Sequence, residues 1–272
     1  MGKLRLLNKL IRALWSEPSR IYQVLQKPME DGRYSAAYVS NTYGLTSLPS
    51  VNILDLVNGL DEQLNYYSYL PGTSLVVDIA LLRALCRERS NCAYLEIGTW
   101  RGESIANMID VTDERYAVTL SADDLKSRGL TDTDLKFHGF YIEPDMEVHE
   151  IFADSSKFDF GSLGKKFDVI FIDGDHSKQG VENDSRKVFP LLKNDDSVIV
   201  WHDYGWDTER VRYNTLAGIL DGSPTWSHSN IYHVIGTKCA IFTKKDLPTY
   251  QTKRHDLPSV NFEHRIVAKA VK

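Results

Sequence analysis

Five short apolar runs, each separated from the next by a helical or mixed stretch, constrain the fold of this chain more than any other feature. Strands of a parallel sheet are near-continuous apolar runs, because helices cover both faces of such a sheet. The sequence therefore predicts a Rossmann-like, doubly wound α/β fold with a mostly parallel sheet. The five predicted strands are residues 93–97, 116–120, 148–153, 167–172 and 197–201.

Two further apolar runs follow at residues 231–235 and 239–243, and only Gly236, Thr237 and Lys238 separate them. A connection this short is typical of an antiparallel hairpin. We therefore expect a seven-stranded sheet with an antiparallel hairpin at one edge. Helical periodicity predicts the covering helices at residues 73–90, 177–192 and 208–220.

The length of 272 residues suffices for one α/β core and an appendage. Residues 1–72 are interrupted by prolines and enriched in tyrosines, which predicts a helical N-terminal extension acting as a lid or in dimerisation. Simple packing of the tyrosine rings in a small subdomain is the alternative. Residues 73–246 are the predicted catalytic domain and residues 247–272 a C-terminal tail. We expect a homo-oligomer.

Charge and composition exclude several classes of protein. The net charge of -5 gives no basic face for a nucleic acid, so no nucleic-acid partner is expected. Three scattered cysteines are too few for a disulfide framework or structural zinc, which favours the cytoplasm.

The first fifteen residues carry an amphipathic basic pattern. They lack the continuous apolar stretch of a signal peptide or a transmembrane segment. Such a helix could contact a membrane surface peripherally, or it could pack on the domain or on a second subunit. Its apolar stripe consists of Leu4, Leu6, Leu7, Leu10, Ile11 and Leu14.

A glycine-bearing turn follows the first predicted strand, with Gly98 and Gly102 four residues apart between Glu96 and Ser104. Glycine lets the backbone approach a ligand closely, and the amides at a helix start suit an anionic group such as a carboxylate. The dinucleotide fingerprint G-x-G-x-x-G is absent, which disfavours NAD and FAD. Glycine used only for packing is the alternative interpretation of this turn.

Acidic residues and histidines follow two neighbouring predicted strands: Asp173, Asp175 and His176 after one, His202 and Asp203 after the next. Ligands of doubly wound sheets bind at the carboxyl ends of the strands, so these side chains should share one crevice. Converging carboxylates repel one another unless a cation or a proton separates them. The sequence therefore predicts a divalent cation, Mg²⁺ or Mn²⁺. A turn-capping Asp173 and a buried, hydrogen-bonded His202 are the structural alternatives.

The run E-I-G-T-W-R-G-E-S resembles the first motif of class I S-adenosylmethionine methyltransferases, in particular the catechol O-methyltransferase group. The resemblance implies that Ser104 takes the methionine carboxylate, and that Glu96 organises the turn near the methionine amine. Gly98, Thr99 and Gly102 complete the predicted turn site.

Three further positions are predicted to bind the cofactor. A strand-end acid usually accepts the ribose hydroxyls in such folds, and here Ser121 or Asp123 is the candidate. The resemblance places Asp154 beside the adenine amino group; its alternative role is a helix N-cap. Asp173 is also predicted to contact the cofactor.

The runs F-I-D-G-D-H-S and I-V-W-H-D-Y resemble the cation-dependent O-methyltransferases, including the macrocin-type sugar methyltransferases. This resemblance implies Asp173, His202 and Asp203 as metal ligands and His176 or Asp175 as the catalytic base. It implies O-methylation of a sugar, glycan or nucleotide-sugar hydroxyl. A small-molecule N-methyltransferase and a non-catalytic Rossmann-like binding or oligomerisation protein are the alternatives.

Overall fold

The central sheet is built from eight strands within the part of the chain that the computed structural model describes, residues 32–251 and 257–270. Their spatial order is β1-β7-β8-β6-β5-β2-β3-β4. The strands are β1 (Ser50–Val51), β2 (Ala93–Ile97), β3 (Glu114–Thr119), β4 (Val148–Phe152), β5 (Val169–Ile172), β6 (Val198–Trp201), β7 (Ile231–Val234) and β8 (Ala240–Phe242).

All pairings are parallel except those of β8, which runs antiparallel to both β6 and β7. The predicted Rossmann-like α/β class, mostly parallel with an antiparallel hairpin, is confirmed. The seven predicted strands are present, each within a few residues of its predicted bounds. An eighth, β1, comes from the predicted extension and pairs with β7 through Ser50 and His233. Two residues are too few to produce a strand periodicity, so the sequence did not reveal it.

Helices cover both faces of the sheet. The helix predicted at 208–220 begins later, at Tyr213, because residues 203–212 form a tight hairpin of their own. The helices are α1 (Gly32–Tyr43), α2 (Ile53–Leu56), α3 (Val76–Arg87), α4 (Glu103–Ala106), α5 (Ala122–Ser127), α6 (Asp132–Leu135), α7 (Lys178–Val188) and α8 (Tyr213–Gly222).

Alternation along the strands divides the apolar core into two layers. Leu95 and Ile97 of β2 face the layer that contains α7 and α8, whereas Tyr94 faces the layer that contains α3. Glu96 shares the face of Tyr94, so a carboxylate lies on a buried apolar surface. The sheet thus places one ionisable group directly beneath the glycine turn.

Helix α8 packs against α7 at backbone distance, because a Cβ at Gly222 would lie 2.4 Å from the carbonyl oxygen of Glu182. Helix α1 then covers α8, where Tyr38 donates to Asp221 at 2.9 Å. No helix in the described ranges has the length and apolarity needed to cross a membrane. The predicted apolar stripe of residues 4–14 lies outside the described residues.

Candidate active site

The glycine turn after β2 is shaped by the neighbouring strand. Gly98 has φ +91°, and a Cβ there would lie 2.4 Å from the carbonyl oxygen of Asp173. Gly102 has φ +82°, and a Cβ there would meet Ile142 Cγ1 at 2.7 Å. Both positions require glycine for backbone conformation and for close approach of other protein atoms. The packing role considered for these glycines is therefore present, and ligand approach stays a prediction.

Glu96 is fully buried beneath this turn. Its carboxylate accepts hydrogen bonds from Thr99 Oγ1 (3.1 Å), Ser104 Oγ (2.8 Å) and Tyr94 Oη (2.8 Å). Burial raises the pKa of Glu96 to about 7, against the opposing effect of these hydrogen bonds. Glu96 thus joins the predicted residues Thr99 and Ser104, while the contact of all three with a cofactor remains a prediction.

The short helix α4 is held by a segment of the predicted extension, residues 65–73, which we call the strap. Glu103 accepts from the backbone N–H of Ser68 at 3.0 Å and from Arg101 Nε at 3.1 Å. Asn107 accepts from Asn65 N at 2.7 Å. Sequence reasoning missed this network, whose one visible signal was the pair of opposite charges at positions 101 and 103.

The predicted ribose and adenine residues lie after β3 and β4. Ser121 caps α5 by accepting from Asp124 N at 3.1 Å, and Asp123 is exposed in the first turn of that helix. Asp154 accepts from Ser156 N at 3.0 Å and from Arg128 Nη2 at 2.9 Å. The hydrogen bond from the Ser156 side chain contributes most to the lowered pKa of Asp154. Ser121 and Asp154 thus have structural partners, and none of the three cofactor assignments is tested.

His202, at the end of β6, bridges two carboxylates. Nδ1 donates to Asp173 Oδ1 at 3.0 Å, and Nε2 donates to Asp78 Oδ2 at 3.1 Å. Although burial lowers the pKa of the imidazole, Asp173 and Asp78 outweigh it and raise the pKa to about 10. His202 is therefore a buried imidazolium at neutral pH.

Asp78 was not among the predicted site residues. It lies on α3, fully buried, and also accepts from the backbone N–H of Lys238 at 3.0 Å. An acid between Val77 and Ile79 on the apolar side of a predicted helix was the available signal. Its partner, 124 positions later in the chain, could not be read from the sequence.

His176 and Asp203 form a second pair at the same edge, with His176 Nε2 3.4 Å from Asp203 Oδ2. Asp203 also binds Arg212 Nη1 at 3.1 Å and the ammonium group of Lys238. Burial raises the pKa of Asp203, but the neighbouring cations, His202 above all, have the larger effect. The pKa of Asp203 is therefore lowered. Asp203 has φ +52°, a left-handed conformation that aspartate adopts more readily than most residues.

Asp175, the other predicted base, is exposed and binds the start of α7. Its carboxylate accepts from Ser177 N at 2.9 Å and from Ser177 Oγ at 2.8 Å. Ser177 is itself the N-cap of α7. The geometry therefore favours His176 over Asp175 as a base, because His176 has a carboxylate partner in the site.

The predicted metal ligands Asp173, His202 and Asp203 do not form a ligand set, because both ring nitrogens of His202 face carboxylates. Across the described ranges, one group brings ligand atoms within 4.8 Å of one another: Asp173, His176 and Asp203. However, the carboxylates of Asp78 and Asp173 already face the imidazolium of His202. The carboxylate of Asp203 already faces the side chains of Arg212 and Lys238. Positive side chains supply the counter-charge that the sequence argument assigned to a metal, so these residues fit a divalent cation poorly.

Asp184 of α7 is buried, with 1% exposure, and the side chains of Ser155 and Lys187 favour its ionised form. It lies beside Gly174, just beyond β5: a Cβ on that glycine would be 3.5 Å from Asp184 Oδ2. Burial raises the pKa of Asp184 to about 6.

Residues 95–204 match a protein-family model described as a methyltransferase domain. The matched span begins within β2, ends after β6 and includes every predicted site residue. Against the curated proteins, the sequence has no match.

Among solved structures, the chain is similar to DesVI from Streptomyces venezuelae, with 16% identity over 46% of this chain and 49% of that one and a TM-score of 0.33. An S-adenosylmethionine-dependent methyltransferase from Clostridium acetobutylicum shows 15% identity over 47% and 50%, with a TM-score of 0.31. A TehB-like methyltransferase from Corynebacterium glutamicum shows 16% identity over 60% and 87%, with a TM-score of 0.37. The chain spans about half the length of the first two structures.

Proposed function

We propose that this chain is an S-adenosylmethionine-dependent O-methyltransferase that methylates a hydroxyl of a sugar, glycan or nucleotide-sugar. The observation that carries the proposal is the His176–Asp203 pair, which lies at the carboxyl edge of the sheet within the span of the methyltransferase domain. A base at this edge suits a proton transfer, because ligands of doubly wound sheets bind there. The sugar class rests on the resemblance of residues 171–177 and 199–204 to macrocin-type enzymes.

The residues around the glycine turn fit the proposed cofactor. Glu96 offers a carboxylate for an amine, and the Ser104 hydroxyl, which donates to Glu96 at 2.8 Å, would have to rotate to donate to a carboxylate. When bound, S-adenosylmethionine supplies an electrophilic methyl group on a sulfonium.

His176 is the proposed base. Its Nε2 faces the Asp203 carboxylate, which favours the tautomer with the proton on Nε2 and leaves Nδ1 to accept a proton from the acceptor hydroxyl. Asp203 then stabilises the resulting imidazolium, while Arg212 and Lys238 hold that carboxylate in place. The side chain of His176 is 35% exposed, so an acceptor can reach it.

No metal is needed in the proposed reaction. The Mg²⁺ or Mn²⁺ predicted from the sequence would have to enter a group of carboxylates that three cationic side chains already neutralise. Displacing Lys238 or Arg212 would leave a buried charge without its partner, which is strongly unfavourable. We therefore expect catalysis to be unchanged by EDTA and by added Mg²⁺.

Two measurements test the proposal. Isothermal titration with S-adenosylhomocysteine, with Mg²⁺ and then with EDTA, should give micromolar binding under both conditions. Absence of binding under both conditions would contradict the enzyme proposal and favour the alternative of a non-catalytic binding or oligomerisation protein. Binding that requires Mg²⁺ would contradict the metal-free site.

The second measurement is release of S-adenosylhomocysteine from S-adenosylmethionine with a panel of saccharides, nucleotide-sugars and amines. His176→Asn should lower turnover by roughly a hundredfold or more, the usual contribution of a general base. Its affinity for S-adenosylhomocysteine should not change. His149→Asn, a change at an exposed histidine on β4, is the matched control and should leave both unchanged. Turnover only with amines as acceptors would contradict O-methylation and support the alternative of a small-molecule N-methyltransferase.

A further inference from the structure

Residues 203–212, between β6 and α8, form a closed hairpin that we call the platform hairpin. Trp206 N donates to Arg210 O at 2.8 Å, and Arg212 N donates to Tyr204 O at 2.7 Å. Asp207 caps the tip by accepting from Arg210 N at 2.8 Å. Backbone hydrogen bonds therefore fix the shape of this segment, although it contains no regular helix or long strand.

Trp206 lies on this hairpin with 54% of its surface exposed. The guanidinium of Arg212 lies 4.4 Å from the centre of its ring. The same Arg212 binds Asp203, which in turn faces His176. The indole is thus fixed by one cation and lies two side chains away from the proposed base.

Trp206 combines an exposed indole face with a cation stacked on its ring. A large aromatic side chain buries roughly 150–250 Å² of surface when it packs. Trp is also among the residues most enriched at binding hot spots. With Arg212 stacked on it, the ring loses little further freedom when a ligand covers it. These properties favour a ligand with an apolar face of about the size of one ring.

The inner side of the hairpin cannot take such a ligand. There the hairpin packs on residues 47–50, leaving a cavity of about 60 Å³ beside Tyr204 and His233. Binding sites for small molecules usually exceed about 300 Å³. A sugar ring does not fit this cavity, and Trp206 is not among the residues that line it.

We propose that Trp206 is the acceptor platform, on which the C–H face of a pyranose ring stacks so that a ring hydroxyl reaches His176. This inference rests on the proposed function and narrows its acceptor to a sugar ring. Polar hydroxyls at the rim of the ring can meet charged groups, and Asp207 and Arg210 lie on the same hairpin. A nucleobase could stack in the same way, but the net charge of -5 disfavours a polyanion.

Trp226 provides a matched control. It is 58% exposed and lies near a cation, Lys244, as Trp206 does. Its ring packs against Phe242, which pairs with Ile199 in the first half of β6. Trp226 therefore lies toward the amino end of β6, whereas the proposed site lies at its carboxyl end.

The test is saturation-transfer NMR on the full chain saturated with S-adenosylhomocysteine. The probes are the methyl glycosides of glucose, galactose, mannose and rhamnose, together with UDP-N-acetylglucosamine and uridine. The wild-type chain and Trp226→Ala should transfer saturation to the ring C–H protons of at least one saccharide. Trp206→Ala should lose this signal by about tenfold or more, and Trp206→Phe should retain a part of it.

Unchanged binding of S-adenosylhomocysteine and an unchanged Tm show that the variants are folded. If Trp206→Ala keeps the saccharide signal, or if no probe gives one, the platform is wrong while the methyltransferase proposal survives. A signal confined to uridine protons would replace the sugar ring with a nucleobase. If S-adenosylhomocysteine does not bind the wild-type chain, the proposed function itself fails.

Discussion

Single polar residues in apolar surroundings organise this site. Glu96 lies on β2 and His202 directly follows β6; both are buried, and each contacts partners from other elements. Their presence was visible in the sequence, because a polar residue interrupts an apolar run there. Their partners were not, since Asp78 reaches His202 only through the packing of α3 against the sheet. The metal inferred from the sequence stays untested, and the structure adds side chains that already balance the charge of these carboxylates.

Replacement of His202 by Gln should destabilise the chain strongly. The change leaves Asp78 and Asp173 facing each other without their shared cation, and breaking a buried ion pair costs about 3–5 kcal/mol. Urea unfolding should give this loss in the free energy of unfolding, against almost none for His149→Gln on the surface. Asp78→Asn combined with His202→Gln should recover part of it. A loss below about 1 kcal/mol would mean that His202 is not charged.

Glu96 should make the stability of the chain depend on pH. Its pKa is about 7 in the folded chain, above the ordinary value of 4.5, so the stability it contributes is present below pH 4.5 and is lost as the pH rises through 7. Each pH unit in this interval costs about 1.4 kcal/mol. Between about pH 5.5 and 8.5 the wild-type chain should therefore lose about 2 kcal/mol relative to Glu96→Gln. Parallel stability curves of the two proteins would show that Glu96 titrates normally.

Short elements position the site, and these were the hardest to predict. Helices α3 and α7 followed from the sequence because their apolar periodicity extends over several turns. The seven apolar strands followed from it because each is a run of apolar residues. By contrast, α4 has four residues and is stabilised by the strap through Glu103 and Asn107. Contacts of this kind depend on residues more than thirty positions apart, which no local pattern records.

The strap should open when Glu103 is replaced by Gln. The variant loses the charge that binds Arg101, Ser68 and Thr73, and a weakened buried ionic network costs on the order of 1–3 kcal/mol. Amide hydrogen exchange of residues 65–73 should then accelerate by about tenfold or more, while exchange in β5 stays unchanged. Glu114→Gln removes a surface ion pair with Lys165 and is the control, with an expected effect near zero. Equal exchange in the two variants would contradict this role of Glu103.

At the scale of the whole molecule, the predicted boundary at residue 72 falls in a segment that contributes to the core. Strand β1 pairs with β7, and α1 packs on α8 through Tyr38, Tyr43 and Asp221. Val39, Leu48 and Val51 are buried in the two apolar layers. The composition of the sequence changes at this point, but composition does not show which surfaces are buried together.

Removal of residues 32–72 should therefore damage the catalytic domain itself. We compare a chain that begins at residue 73 with one that begins at residue 32, so that only this segment differs. The shorter chain exposes the edge of β7 and the apolar surface of α8, and an unpaired strand edge promotes aggregation. We expect the chain from residue 32 to unfold in one cooperative transition, and the chain from residue 73 to aggregate or to melt without a sharp transition. If the shorter chain unfolds cooperatively at the same Tm and still binds S-adenosylhomocysteine, residues 32–72 are a separable extension, as their composition first indicated.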